Sequence, residues 1–246
     1  MFDNISEFRS FYKTPLGRRV VAAMRDQIRA FWQGAPSMTR VFLGYGQPFT
    51  DRDLAALGLM PARRGAAVWP TSGRARSCLV NPISLPVPDV HLDRLLLVHA
   101  LEFESNPGDL LDECWRVLDG AGRLMLIVPN RASMWARREG TPFGHGQPYS
   151  GLQLRRRLKQ HGFMPCQTSH ALFIPPIENR LILRFAPTIE NLGKRWWPAV
   201  GGVVLVEAEK MLYAPSGHRQ KRNPRLKPAP ALVGQARDSL MPKEWN

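Results

Sequence analysis

The chain has 246 residues, 44% of them hydrophobic, and a formal net charge of +14. That length supports a core without disulfides or a structural metal, and Cys78, Cys114 and Cys166 are too few and too scattered for a disulfide framework or a zinc site. The opening FDNISEFRSFYK is no signal peptide, and apolar runs such as 95–98 and 203–206 are too short to span a bilayer, so a cytoplasmic protein is expected.

Residues 4–12 suit a short helix. A longer one starts at Pro15, with Thr14 as N-cap and Leu16, Val20, Met24 and Ile28 at helical spacing. It ends near Gly34 and Pro36 and precedes the first strand, so it is expected outside the sheet as a cover. Residues 40–43 form a buried strand that stops at the turn Gly44-Tyr45-Gly46. A helix is predicted over 51–57, then strands at 66–69, 77–80 and 92–99. Asn106 caps a helix that turns Leu110, Leu111, Cys114, Trp115 and Leu118 inward. The turn 119–122 leads into a strand at 123–128. Ser150 caps the next helix, and Gly162 ends it. Strands are predicted at 164–174 and 201–213, with a helical insertion at about 177–198 between them. The tail from residue 214 is basic, rich in Pro, Lys and Arg, and reads as disordered.

Strands alternating with helices predict an α/β fold with a mostly parallel sheet and helices on both faces. The last two strands lack a helical crossover and suit an antiparallel C-terminal pair. The organisation is then an N-terminal helical cover (1–36), a main domain (37–213) and the tail (214–246). In such sheets ligands bind at the carboxyl ends of the strands. That gathers the 44–46 turn, the segment after residue 80, His99 and the loop after Val128 around one cleft.

Three segments together resemble the Rossmann-like class I S-adenosylmethionine-dependent methyltransferases, in particular the type 11 group related to ubiquinone and menaquinone methyltransferases. VFLGYGQPF at 41–49 is similar to that family's strand and glycine-rich turn. NPISLPVPD at 81–89, with LDRLLLVHALE at 92–102, is similar to its L-P-F-x-D segment and the strand after it, which ends in a His-x-Leu-Glu-type sequence. LDECWRVL at 111–118, with DGAGRLMLIVPN at 119–130, is similar to its next helix, turn and strand. The resemblance implies S-adenosylmethionine as cofactor and methyl transfer to an acceptor, small molecule or protein. It places Gly44, Tyr45, Gly46 and Gln47 at the cofactor's amino-acid end, Asn81 and Pro82 at its adenine, and His99 on the inner wall. His145 and Tyr149, in a loop that echoes the first (GHGQPY against GYGQPF), would face the substrate. No catalytic residue is assigned and no metal site is expected. Methyl transfer from a sulfonium rests on positioning and electrostatics more than on a strong base.

The chain departs from the family pattern at several places. Phe42 stands where an acid is usual, Pro48 replaces a glycine, and Asn81 replaces an acid. No acid ends the strand predicted at 66–69, and only residues 70–76 join it to the next, too few for a parallel crossover. An alternative is therefore a catalytically inactive relative acting through a protein partner. An open cleft beside Gly46 and Asn81 would favour the enzyme; Phe42, Trp69 or Pro48 filling it would favour the inactive relative. His99 reads either as a cofactor-edge group or as a core histidine, and Glu102 as structural. Trp196 and Trp197 read as a packing cluster or as an exposed partner site. Nucleic acid could be drawn by the charge, but the basic residues are spread along the chain with little aromatic interleaving, so it is not the favoured partner.

Overall fold

The structure is a computed structural model and describes residues 2, 4–32, 38–50, 56–65, 67–70 and 73–212. Seven strands form one sheet: β1 (Arg40–Gly44), β2 (Ala56–Pro61), β3 (Ser77–Val80), β4 (Leu92–Val98), β5 (Leu118–Pro129), β6 (Phe163–Ala171) and β7 (Val203–Lys210). Their order is β3-β2-β1-β4-β5-β7-β6. β7 alone runs antiparallel, to both β5 and β6; the other pairs are parallel. The mostly parallel sheet with an antiparallel C-terminal pair is thus observed.

Alternation along the strands feeds two apolar layers. Phe42, Met60, Leu96, Met125 and Leu205 face α1 (Ile5–Lys13) and α2 (Pro15–Phe31). Val41, Leu43, Leu95, Leu97, Leu124 and Leu126 face α3 (Pro107–Val117) and α4 (Gly151–Gln160). Both faces of the central strands are buried, which is why they read as continuous apolar runs. The Thr14 hydroxyl accepts from the Gly17 N–H at 3.0 Å, and Pro15 opens α2. Val20 and Met24 of α2 are fully buried against the sheet, each worth roughly 1.5–3 kcal/mol. Asn4 and Glu7 close a reciprocal capping box on α1. The stretch between β6 and β7 carries α5 (Arg180–Arg184) and α6 (Ala186–Trp196).

The second strand corrects the sequence reading. It is 56–61, not 66–69, so the helix expected to reach residue 57 gives way to strand at Ala56 and Leu57; residues 51–55 lie outside the described residues. The connection to β3 then spans 62–76, long enough for a parallel crossover, and the length conflict disappears. Residues 67–69 instead fold back along β3. The Ser77 hydroxyl donates to the Ala67 carbonyl and accepts from the Trp69 N–H, each at 3.1 Å. The expected turn at 119–122 is a bulge inside β5: Leu92 pairs with Leu118, and Arg94 already with Arg123. The tail from residue 214 lies outside the described residues.

Candidate functional site

The strand order reverses between β1 and β4, and the crevice at their carboxyl ends is where an open α/β sheet offers a site. β1 ends at Gly44 with φ +96°, where a Cβ would stand 2.1 Å from the Val98 carbonyl oxygen. The Tyr45 N–H donates to that same oxygen at 2.8 Å. Gly44 is therefore needed to bring β1 and β4 together. At Gly46 a Cβ would meet the Phe42 ring at 2.6 Å, and Trp69 packs edge-on against that ring at 5.4 Å. The turn thus closes on its own strand. The Gln47 amide donates to the Ala67 carbonyl at 3.3 Å, anchoring the segment after β2.

His99 follows β4 in a left-handed conformation, φ +54°, and is buried with Glu102 and Tyr12. Its Nε2 lies 2.6 Å from the Tyr12 hydroxyl and its Nδ1 3.1 Å from Glu102 Oε1. Burial, then Tyr45 and Glu102, push the Tyr12 phenol well above its ordinary range. Tyr12 is thus a neutral donor, and the chain is satisfied with Tyr12 O–H to Nε2 and Nδ1–H to Glu102. The other Glu102 oxygen is buried without a partner. Tyr12 stacks on Tyr45 at 5.6 Å, and Phe8 lies 4.9 Å from His99 and 5.5 Å from Tyr45. Burial pushes the Tyr45 phenol to about 12. Ile5, Phe8, Phe11 and Tyr12 are all buried, so α1 seats an aromatic stripe on the carboxyl ends of β1 and β4.

The corrected β2 ends at Pro61 and runs into the 3-10 turn Ala62–Arg64, so a basic side chain stands near the position where the resemblance implies an acid. The Arg64 guanidinium lies 3.6 Å over the Phe103 ring and donates to the His99 carbonyl at 3.4 Å. Phe8, Tyr12 and Arg64 were not assigned roles from sequence. The stripe 5-8-12 is visible as helical spacing, but nothing local says what it covers.

Asn81 and Pro82 stand apart from this cluster. Asn81 is exposed, and its side chain accepts from the Ile83 N–H at 3.3 Å. The following loop is held from α3. Glu113 accepts from the Leu85 N–H at 2.6 Å and from Arg116, which also reaches Asp89. Burial pushes the Glu113 carboxyl up, but the Arg116 and Leu85 hydrogen bonds and the Arg116 charge outweigh it and hold it below its ordinary value. A lowered carboxylate stabilises the fold above its unfolded value, and that contribution disappears as pH falls through the folded value. Glu113→Gln is expected to cost about 1.5–3 kcal/mol at neutral pH. The difference from the unmodified chain should shrink under acid, as read from urea midpoints across pH.

His145 and Tyr149 are not brought together. His145 Nε2 lies 2.7 Å from the Glu139 carbonyl, and its ring sits 5.2 Å from Phe2, on the α1 side. Tyr149 is buried in the opposite layer with Leu154 and Leu158. The loop between them is tied to the cluster, since the Gln147 N–H donates to the Glu102 carbonyl at 2.6 Å.

S-adenosylmethionine does not fit the space that α1 leaves at the described ends of β1 and β4. The space among Ile5, Phe8, Gly44, Tyr45, Pro61, Arg64 and His99 is about 10 Å³, room for about one water, whereas cofactor pockets run to roughly 300–1,000 Å³. The two glycines of the turn make room for protein atoms rather than for a ligand.

Solved structures share this architecture. A methyltransferase dependent on S-adenosylmethionine from Thermotoga maritima aligns with a TM-score of 0.64 at 18% identity, over 84% of this chain and 96% of its own. The chain has the class I methyltransferase fold. A chain from the complex of a Haloferax volcanii methyltransferase with the Trm112 methyltransferase activator aligns at 0.60 and 16% identity, over 84% and 95%. The [4+2]-cyclase SpnF aligns at 0.53 and 18% identity, over 77% and 80%. Uncharacterized proteins of Mycobacterium tuberculosis and Mycobacterium bovis are 29% identical over 184 residues, 69% of this chain. The chain spans 61% of the length of these relatives. No protein-family model matches it. Among the described residues no helix is long and apolar enough to cross a membrane.

Proposed function

We propose that this chain is a non-catalytic methyltransferase-fold protein, cytoplasmic and acting by binding, in which α1 takes the place of the cofactor. The observation that carries the reading is the Tyr12–His99 hydrogen bond at the point where the strand order reverses, with Phe8 packed beside it. Burial of four apolar side chains of α1 amounts to roughly 6–12 kcal/mol at 1.5–3 kcal/mol each, an upper bound because unfolded chains already bury some surface. A cofactor with micromolar affinity for an opened form contributes about 8 kcal/mol at 1 M. If opening costs even about 4 kcal/mol, its apparent affinity falls to about millimolar. The Phe42 ring against Gly46 and the absence of an acid at the end of β2 support the same reading. Fold does not dictate chemistry, as the cyclase among the structural neighbours illustrates. The neighbour bound to an activator makes a protein partner a reasonable target. A relation to the ubiquinone and menaquinone group rests on the three segments at 41–49, 81–102 and 111–130 read together, the last being the most specific.

Calorimetric titration of the folded chain with S-adenosylmethionine and S-adenosylhomocysteine should give no heat of binding up to millimolar ligand. Micromolar binding by the unmodified chain would sink the proposal.

A second reading, a methyltransferase whose site opens when α1 leaves, is favoured by one observation. His99 is backed by Glu102 as a base would be, and loss of Tyr12 would free its Nε2 at the crevice. An acceptor, small molecule or protein, would then meet His99, with His145 on the same side. Cofactor binding that appears only once α1 is loosened would favour it over the first.

A further inference from the structure

The helix α6 is turned inside out. Its buried residues are Ala186, Glu190 and Gly193. Its apolar stripe Phe185, Leu192 and Trp196, spaced i, i+7 and i+11 on one helical face, is exposed at 56%, 51% and 63%. Half-buried Ile189, between this stripe and the buried face, packs against the core and lines the cavity described below. Leu181, Trp197 and Val200 on neighbouring turns are also more than half exposed. The other long helices point such stripes at the sheet, whereas among the described residues nothing covers this one.

The charge around the stripe is mainly positive. Residues 180–196 contain Arg180, Arg184, Lys194 and Arg195 and a single acid, Glu190. Glu190 is buried and accepts from the Phe173 and Ile174 N–H groups at 2.7 and 3.2 Å. The outward surface is therefore apolar and mainly basic; the acids nearby are exposed Glu178, just before α5, and buried Glu190. A second copy would bring the same basic stripe and a chain of net charge +14 against this one, which disfavours self-association. An anionic bilayer supplies both halves of the complement: headgroups for the Arg and Lys side chains, and an apolar boundary for Phe185, Leu192 and the adjacent tryptophans. A cavity of about 340 Å³ opens beside the stripe, walled by Met134, Trp135, Phe173, Leu192, Trp197 and Val200 among others and without a charged side chain. It is about twice the size of a cavity that holds benzene and suits part of one acyl chain.

We propose that α5, α6 and the turn that follows form a docking element for anionic membrane surfaces, with the adjoining cavity receiving a lipid chain. The proposal does not depend on whether the cofactor crevice is active.

The test is co-sedimentation of the full chain with vesicles of phosphatidylcholine alone and of phosphatidylcholine mixed with phosphatidylglycerol. Binding is expected only to the mixed vesicles and should weaken as salt is raised. The variant Trp196→Ala/Trp197→Ala should lose about tenfold or more in affinity, and Lys194→Glu/Arg195→Glu likewise. These side chains are exposed or half-buried, so unchanged thermal midpoints are expected. The full chain remaining in solution with mixed vesicles overturns the proposal. So does equal binding by the variants, which would move the contact to other basic surface. A dimer in light scattering that dissociates in the tryptophan variant would assign the face to a second copy instead.

Discussion

Phe8→Ala is expected to lower the unfolding free energy by about 3–5 kcal/mol and to open the crevice at the ends of β1 and β4. Phe8 is 1% exposed and its ring contacts Tyr45, His99 and Phe103. Deleting it therefore removes the transfer free energy of a full aromatic side chain and leaves a hole lined by rings that cannot collapse freely. Urea denaturation gives the loss. A loss below about 1 kcal/mol would mean that α1 does not dock as described. Titration of the same variant with S-adenosylmethionine then separates the two functional readings. Binding in Phe8→Ala but not in the unmodified chain would mark α1 as a gate, and binding in neither would leave the fold as a scaffold.

A larger effect is expected at the end of β1. Gly44→Ala should cost more than about 4 kcal/mol or leave no folded protein, because two penalties coincide. The backbone is at φ +96°, disfavoured for any residue with a Cβ. That Cβ would also press into the Val98 carbonyl, which accepts the Tyr45 N–H. Gly73→Ala is the control. Gly73 has φ +85° with nothing within 4 Å, so it should show the conformational penalty alone, about 1–2 kcal/mol. Equal losses at the two positions would refute the close approach of β1 to β4.

Residues whose pattern is carried by both neighbours and burial were legible in the sequence. The runs at 40–43, 95–98, 123–128 and 203–206 are buried on both faces and could only be inner strands. Thr14-Pro15 and Ser150 with Gln153 carry their own capping chemistry. β2 was not legible, because ALGLMP has a weak strand preference and follows a segment with helical spacing. Gly58 sits in it because the Phe42 ring passes over that position, a contact that no local pattern reveals. Ala67 to Trp69 looks like a strand yet only packs beside one. At the site, the sequence reading brought the glycine turn and His99 to one crevice, but not the α1 side chains that cover them. Tyr12 and His99 are 87 positions apart, and nothing in either segment states that they meet.

The seat of α1 also bears on how the chain emerges during synthesis. The rings that receive Phe8 belong to residues 45, 99 and 103, all made well after α1 itself. Until β4 is complete, the stripe Ile5, Phe8 and Tyr12 has no surface to cover, and closing that long loop comes before any reward from the contact. Until then the nascent α1 is an adhesive segment, and its docking reports that the centre of the sheet has formed.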